Sequence, residues 1–153
     1  MLITADILRE RRACFDQVKL FEHLFPTGVI VTESLCAGVA DKFDWRWAAR
    51  ELFPAPALKA YDKALTPALK AYDKALKLAL KAYDKALTPA SKAYDEATAP
   101  ASKGFSEAKV WAWKGFSGAR VRALKAYSEA TAPASKAYDE ARAWAFGRIA
   151  ETL

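Results

Sequence analysis

From Ala57 onward the apolar and polar positions repeat every 11 residues, through eight tandem units that end at Trp144. The first unit reads ALKAYDKALTP and the last ASKAYDEARAW. An aromatic residue holds one column: Tyr61, Tyr72, Tyr83, Tyr94, Phe105, Phe116, Tyr127 and Tyr138. Alanine is invariant in two columns, those that begin at Ala57 and Ala64, and lysine recurs in another from Lys59 to Lys136. A period this regular sets the architecture before any single residue is weighed.

Eleven residues over three turns is about 3.67 per turn, close to a relaxed α-helix. On that wheel Ala57, Tyr61, Ala64 and Ala68 follow a 4-3-4 spacing and share one face. Leu58 and Leu65 flank them on one side and Ala60 on the other. Lys59, Asp62, Lys63, Thr66 and Pro67 cover the opposite face. This is an amphipathic helix pattern, and alternation at period 2 is absent from it. The hendecad period predicts a coiled-coil-like helix that is nearly straight or slightly right-handed. Its stripe is mostly alanine, which permits close backbone approach, with one aromatic per three turns to fill the gap. Gly104 and Gly115 beside Phe105 and Phe116 would allow closer approach still.

Proline occupies the last column of the unit at Pro56, Pro67, Pro89, Pro100 and Pro133. An interior proline removes a backbone hydrogen bond and costs about 3 kcal/mol. In one reading each Thr-Pro or Ala-Pro starts a new short helix, with Thr66-Pro67 and Thr88-Pro89 as N-cap and N1 pairs. In the other the helix continues, bent at each proline with the Ala/Tyr stripe on its concave side. Leu78, Trp111, Arg122 and Trp144 stand in the same column and break nothing, so the continuous helix is the reading adopted. Unbroken, it would be about 135 Å long. A fold-back near Gly104–Gly118 into an antiparallel hairpin is the alternative arrangement.

Before the repeat the pattern is aperiodic and richer in large apolar residues. Thr4 is an N-cap for a helix near 5–12. Cys14, Val18, Phe21 and Phe25 share a face of a second helix, which Pro26-Thr27-Gly28 ends. Val29–Val31 is briefly extended. Thr32 caps a third helix to about Asp41, and Asp44 a fourth from Trp45 to Phe53. The chain thus divides into a helical head over 1–53, a repeat region over 54–146 and a tail over 147–153. The fold class is all-α. A head of this size is marginal alone and is expected to pack on the repeat or on another copy.

Charge separates the two main parts. The net charge is +6, and residues 54–146 carry 16 Lys/Arg against 9 Asp/Glu, whereas the head is nearly neutral. The repeat is therefore the part suited to an anionic partner. Cys14 and Cys36 read as buried free thiols rather than a disulfide framework. Neither a signal peptide nor a transmembrane-length apolar run is visible, so a cytoplasmic protein is expected.

Chemistry-bearing constellations are missing. His23 is the single histidine, with no partners at metal-ligand or triad spacing. No phosphate- or dinucleotide-binding glycine motif occurs. Asp62, Asp73, Asp84 and Asp95 would lie about 16 Å apart along a helix, too far to act in pairs. The chain is read as a non-enzyme with no cofactor, no metal and no small-molecule substrate. Trp111, Trp113 and Trp144 interrupt the alanine-rich pattern and are read as contacts to the head, to another chain or to a lipid interface.

The head motifs Ala13-Cys14, Gln17-Val18, Phe21, Phe25-Pro26-x-Gly28-Val29, Val31-Thr32, Leu35-Cys36 and Phe43-Asp44-Trp45-x-Trp47-Ala48-Ala49 resemble a small domain of phage and prophage proteins of uncharacterised function. Those proteins continue into Pro-punctuated Ala/Tyr repeats of this kind. The resemblance implies a phage-encoded protein in a bacterial cytoplasm and no catalytic residues. The repeats are also similar to the 11-residue repeats of exchangeable apolipoproteins and synuclein-like proteins, which implies a lipid surface as a partner. The expected function is structural or interactive: self-association, or binding of a partner helix through the Ala/Tyr stripe. Lipid-surface binding is the alternative, as is an anti-defence protein that binds nucleic acid or a host factor.

Overall fold

Side-chain caps set the boundaries of the short elements. Thr4 Oγ1 accepts from the Ile7 N–H at 3.3 Å and opens α1 (Ala5–Glu10). Arg12 ends it in the left-handed region, at φ 60°. Its N–H donates to Arg9 O and that of Ala13 to Leu8 O, both at 2.9 Å. This is a Schellman motif with arginine where glycine is usual. Helix α2 (Phe15–Leu24) follows. Thr32 caps α3 (Glu33–Gly38) and Asp44 caps α4 (Trp45–Leu52), so the three expected caps are in place. A strand the sequence pattern did not reveal, β1 (Leu2–Ile3), pairs antiparallel with β2 (Val29–Ile30), the extended segment after Gly28. Gly28 sits at φ 81°, and a Cβ there would stand 2.8 Å from Ile3 O, so both the turn and the strand pairing require glycine.

A computed structural model describes residues 1–99 and 107–153. Within them the repeat forms two helices of 44 residues each, α5 (Ala55–Thr98) and α6 (Glu107–Ala150), not one continuous rod. The fold is all-α apart from the two-residue strand pair. The chain divides into two compact units. The first is Met1–Lys70 with Lys136–Leu153, and the second is Ala71–Ser135. The head thus takes in the start of α5 and the end of α6, beyond its compositional limit at residue 53.

Pro67, Pro89 and Pro133 are exposed and lie within helix, so the chain does not restart at them. The carbonyl four residues before each loses its amide partner on a face open to water. Thr66 and Thr88 are not caps. Their hydroxyls donate back to the carbonyls of Asp62 and Asp84, at 3.1 and 2.8 Å.

The first unit is built on an aromatic chain. Phe146, from the last turns of α6, stacks on Phe53 at 4.6 Å and tilts against Trp45 at 5.3 Å. Trp45 meets Phe43, and Phe43 meets Phe21 and Phe25. Tyr61 packs edge-on to Phe53. Gly147 lets α6 come against the start of α3, since a Cβ there would lie 2.6 Å from Glu33 Cα. Residues 147–153 are therefore no free tail: Gly147 and Ala150 are buried, and Ala150 belongs to the core. Cys36 is buried and Cys14 exposed, so the expectation of two buried thiols holds for one.

In the second unit α5 and α6 run antiparallel. Tyr83 meets Tyr127 edge-on at 6.2 Å, while Tyr94, further along α5, meets Trp113 and Phe116, earlier in α6. Ala79 and Ala123, both in the first alanine column, are buried.

Candidate interaction surface

The Ala/Tyr stripe is the first candidate, and most of it lies inside the fold. Ala57 and Tyr61 are buried in the first unit. Tyr72, Tyr83, Tyr94, Phe116, Tyr127 and Tyr138 are half-buried, and Phe105, with Gly104, lies outside the described residues. Ala64 departs from the expected register because it is exposed, while Leu65 is buried. Further along, Leu76 and Leu87 are half-buried and Ala86 is exposed. The inward positions at the start of α5 thus follow 57, 61, 65, 68, a 4-4-3 spacing in place of 4-3-4, while Ala75 and Leu76 in the next unit are both half-buried. The physical reason is area. Leucine carries three more carbons than alanine, worth about 2 kcal/mol when buried, so the helix turns the Leu65 column inward.

Tyr61 shows how tightly the stripe is enclosed. Its hydroxyl lies beside the Arg142 guanidinium but outside hydrogen-bond geometry. Burial pushes its pKa up to about 12, against an opposing pull from Arg142. Arg142 itself bonds Asp139 at 3.2 Å and Asp44 at 3.1 Å, which ties α6 to the cap of α4. Burial, helped by the charge of Glu151, likewise pushes the Cys36 thiol up to about 12. Neither group faces a partner with which it could do acid–base work.

An open surface depression of about 510 Å³ is lined by Ala37, Glu140, Ala141 and Trp144. The head encloses an apolar cavity of about 50 Å³ lined by residues such as Ile3, Phe21, Val31, Cys36, Trp45 and Phe146. That is far below the several hundred Å³ of a cofactor or substrate pocket. His23 is exposed, and among the described residues no group of three His, Cys, Asp or Glu side chains is placed to hold a metal ion.

The three tryptophans separate. Trp144 is engaged within the first unit: its Nε1 donates to the Glu33 carboxylate, and Arg148 lies 5.0 Å over its ring. Trp111 and Trp113 remain 69% and 56% exposed, in the second unit. Trp113 leans on Tyr94 and Phe116 at the edge of the helix pair. Trp111 points away from α5 and stacks under Lys114, 5.1 Å from its ring centroid.

Two residues that sequence reasoning passed over complete this surface. Val110 and Val121 stand in the column that holds Thr66 and Thr88, and both are exposed, Val121 by 66%. On the wheel Val110, Trp111, Lys114, Gly118, Val121, Arg122 and Lys125 form one face, opposite the Phe116–Tyr127 stripe. Five cations and no carboxylate occur from Ala108 to Ser128. The signal was present in the repeat. The column that is aspartate from Asp62 to Asp95 becomes serine at Ser106, Ser117 and Ser128. Helix α6 therefore carries an exposed aromatic and two valines on its outer face, whereas the exposed large apolar residues of α5 are leucines, Leu69, Leu78 and Leu80. Glu107 and Glu129 bound the patch, and Glu129 pairs with Lys125 at 3.8 Å.

The chain matches no family model, no curated protein and no solved structure. The likeness to phage proteins and to lipid-binding repeats thus rests on the residues alone.

Proposed function

We propose that the protein is a non-enzymatic interaction protein whose contact surface is the outward face of α6 around Trp111 and Val121. The Ala/Tyr stripe then serves folding, because it packs α5 against α6 within one chain and leaves little of itself for a second copy. The observation that carries this reading is the local change in the repeat. In the fifth and sixth units, where aspartate has given way to serine, exposed Val110, Trp111 and Val121 stand in the outer columns, and five cations from Lys109 to Lys125 have no carboxylate between them. A solubilising face has no use for that change, and a docking face needs it.

The test is a photo-crosslinking amino acid placed at position 111 and, as a control, at Asp84 on α5. Irradiation in the expressing cell is expected to give a discrete adduct, of protein or lipid, from position 111 alone. The adduct should vanish when Val121 and Arg122 are replaced by serine. Equal labelling from both positions would refute the assignment of the face.

A further inference from the structure

We propose that this face of α6 is an interfacial docking site for bilayers that carry anionic lipid headgroups. The inference rests on the reading of α6 as the interaction surface and names the chemistry of its partner.

Three features of the face select that partner. First, its charge is predominantly positive, with Glu129 at one end paired to Lys125 and Glu107 at the other. Lys114, Arg122 and Lys125 lie on it, Lys109 and Arg120 beside it, and no carboxylate falls between Glu107 and Glu129. Cations on such a surface are each worth about fivefold in affinity for an anionic leaflet. Second, its apolar groups are those of an interface. Trp111 is the most exposed tryptophan, and Val110 and Val121 stand out from the same side of the helix. A tryptophan ring sits at headgroup depth, and valine side chains reach the acyl boundary just below. Third, the cations are long and neighbour the apolar groups. Lys114 already lies along the Trp111 ring. Lysine and arginine stems can cover apolar surface while their charged ends reach phosphate oxygens.

The same residues fit a polynucleotide less well. Phosphate contacts would use the cations, but Val110 and Val121 would stay in water, and a convex helix offers no groove to hold stacked bases. The attachment is peripheral, since among the described residues no helix is long and apolar enough to cross a membrane. Helix α5 stays on the far side of α6 from the lipid, with Asp73, Asp84 and Asp95 held away from the headgroups.

Vesicle flotation of the full chain tests this, with phosphatidylcholine vesicles that contain about one-third phosphatidylserine. The wild-type protein is expected to float with these vesicles, with a blue-shifted tryptophan emission, and to stay behind with pure phosphatidylcholine. A variant carrying W111S and V121S changes only exposed side chains. It should keep its circular dichroism and lose partitioning by at least about tenfold. A variant carrying K114Q and R122Q should lose about 25-fold. Failure of the wild-type protein to float, equal flotation with neutral vesicles, or unchanged flotation of both variants would overturn the lipid assignment. So would salt-sensitive DNA binding through Lys114 and Arg122 without flotation. If flotation fails while position 111 still yields its discrete protein adduct, the lipid partner is wrong and the interaction face stands. If both fail, the face itself is wrong.

Discussion

Replacing Gly147 by alanine sets two effects of opposite sign against each other inside one helix. An interior glycine in a helix costs about 0.8–1.0 kcal/mol relative to alanine, so propensity alone predicts a gain. Tertiary packing predicts the reverse. A Cβ at 147 would lie 2.6 Å from Glu33 Cα, 2.8 Å from Thr32 O and 2.9 Å from Glu33 N. All three are backbone atoms, so no side chain can swing aside. Ordinary contact begins at 3.4 Å, and α3 must therefore retreat by about 0.8 Å at its first residue. That retreat pulls on the 2.8 Å bond from the Glu33 N–H to the Glu151 carboxylate and on the bond from Trp144 Nε1 to Glu33. It also loosens the Phe146 stack next in sequence. Overpacking of this kind costs about 1–3 kcal/mol, and each strained hydrogen bond adds about 1 kcal/mol. After the propensity gain is subtracted, G147A is expected to be about 2–4 kcal/mol less stable than wild type.

Gly115 supplies the internal control. It lies in the same helix, and a Cβ there would meet nothing within 4 Å. G115A should keep the whole propensity gain and be about 0.8–1.0 kcal/mol more stable. Urea titrations followed by far-UV circular dichroism would give both midpoints, and near-UV spectra would show disturbance of the tryptophans in G147A alone. A G147A protein as stable as wild type would refute the close approach of α6 to α3. A destabilised G115A would refute the open environment assigned to Gly115.

Other substitutions test other joints of the fold. The inward register predicts that L65A costs about 2–4 kcal/mol while A64S stays within about 0.5 kcal/mol, as thermal melts would show; equal losses would return the helix to the 4-3-4 face. R12G should stabilise by about 0.5–1 kcal/mol, because glycine relieves the left-handed strain at φ 60° and gives back part of that gain in chain entropy. Native protein treated with a thiol reagent at neutral pH should take up one label, on Cys14, and a second, on Cys36, only when unfolded, as mass spectrometry would count. Because burial raises both the Cys36 thiol and the Tyr61 phenol to about 12, the folded state keeps protons that the unfolded chain releases. Their stability contributions are intact below about pH 9 and fall as pH climbs towards 12, each by about 1.4 kcal/mol per pH unit once the unfolded group ionises. C36A should flatten the part of the decline that begins nearest pH 9, and an unchanged slope would contradict the thiol's share.

The helices, the caps at Thr4, Thr32 and Asp44 and the outward prolines were readable because each depends on neighbours within one or two turns. What escaped depends on contacts far apart in sequence. Leu65 outranks Ala64 only because a second helix offers something to bury against, and a wheel of one helix carries no such term. Residues 147–153 looked like a tail because Phe146 and Gly147 acquire meaning only beside Phe53 and Glu33. The strand at Leu2–Ile3 is two residues long, too short for any periodicity. The division of the repeat into α5 and α6 was open in the sequence as the fold-back near Gly104–Gly118, but nothing in the pattern favoured it over one helix, for a related reason. The apolar period continues in phase through the junction, so its phase alone could not distinguish one helix from two.

The candidate surface was half readable. Trp111 and Trp113 stood out as intrusions, whereas Val110, Val121 and Arg122 did not, since each is unremarkable by itself. They become a face only through subtraction. Take away what the 11-residue unit needs to pair α5 with α6, and the outer columns of α6 still hold residues that pairing does not explain. In an exact repeat such a remainder would vanish, because every unit would answer to the same packing demand. Here Val110, Trp111 and Val121 fall in units five and six, where the aspartate column is serine and no carboxylate stands between Glu107 and Glu129. Loss of an acid and gain of an exposed aromatic within the same three turns act together on a negatively charged, partly apolar surface. Either change alone would weaken solubility and bring little binding in return, so their coincidence marks that stretch of α6 as the place where binding outweighed uniformity of the repeat.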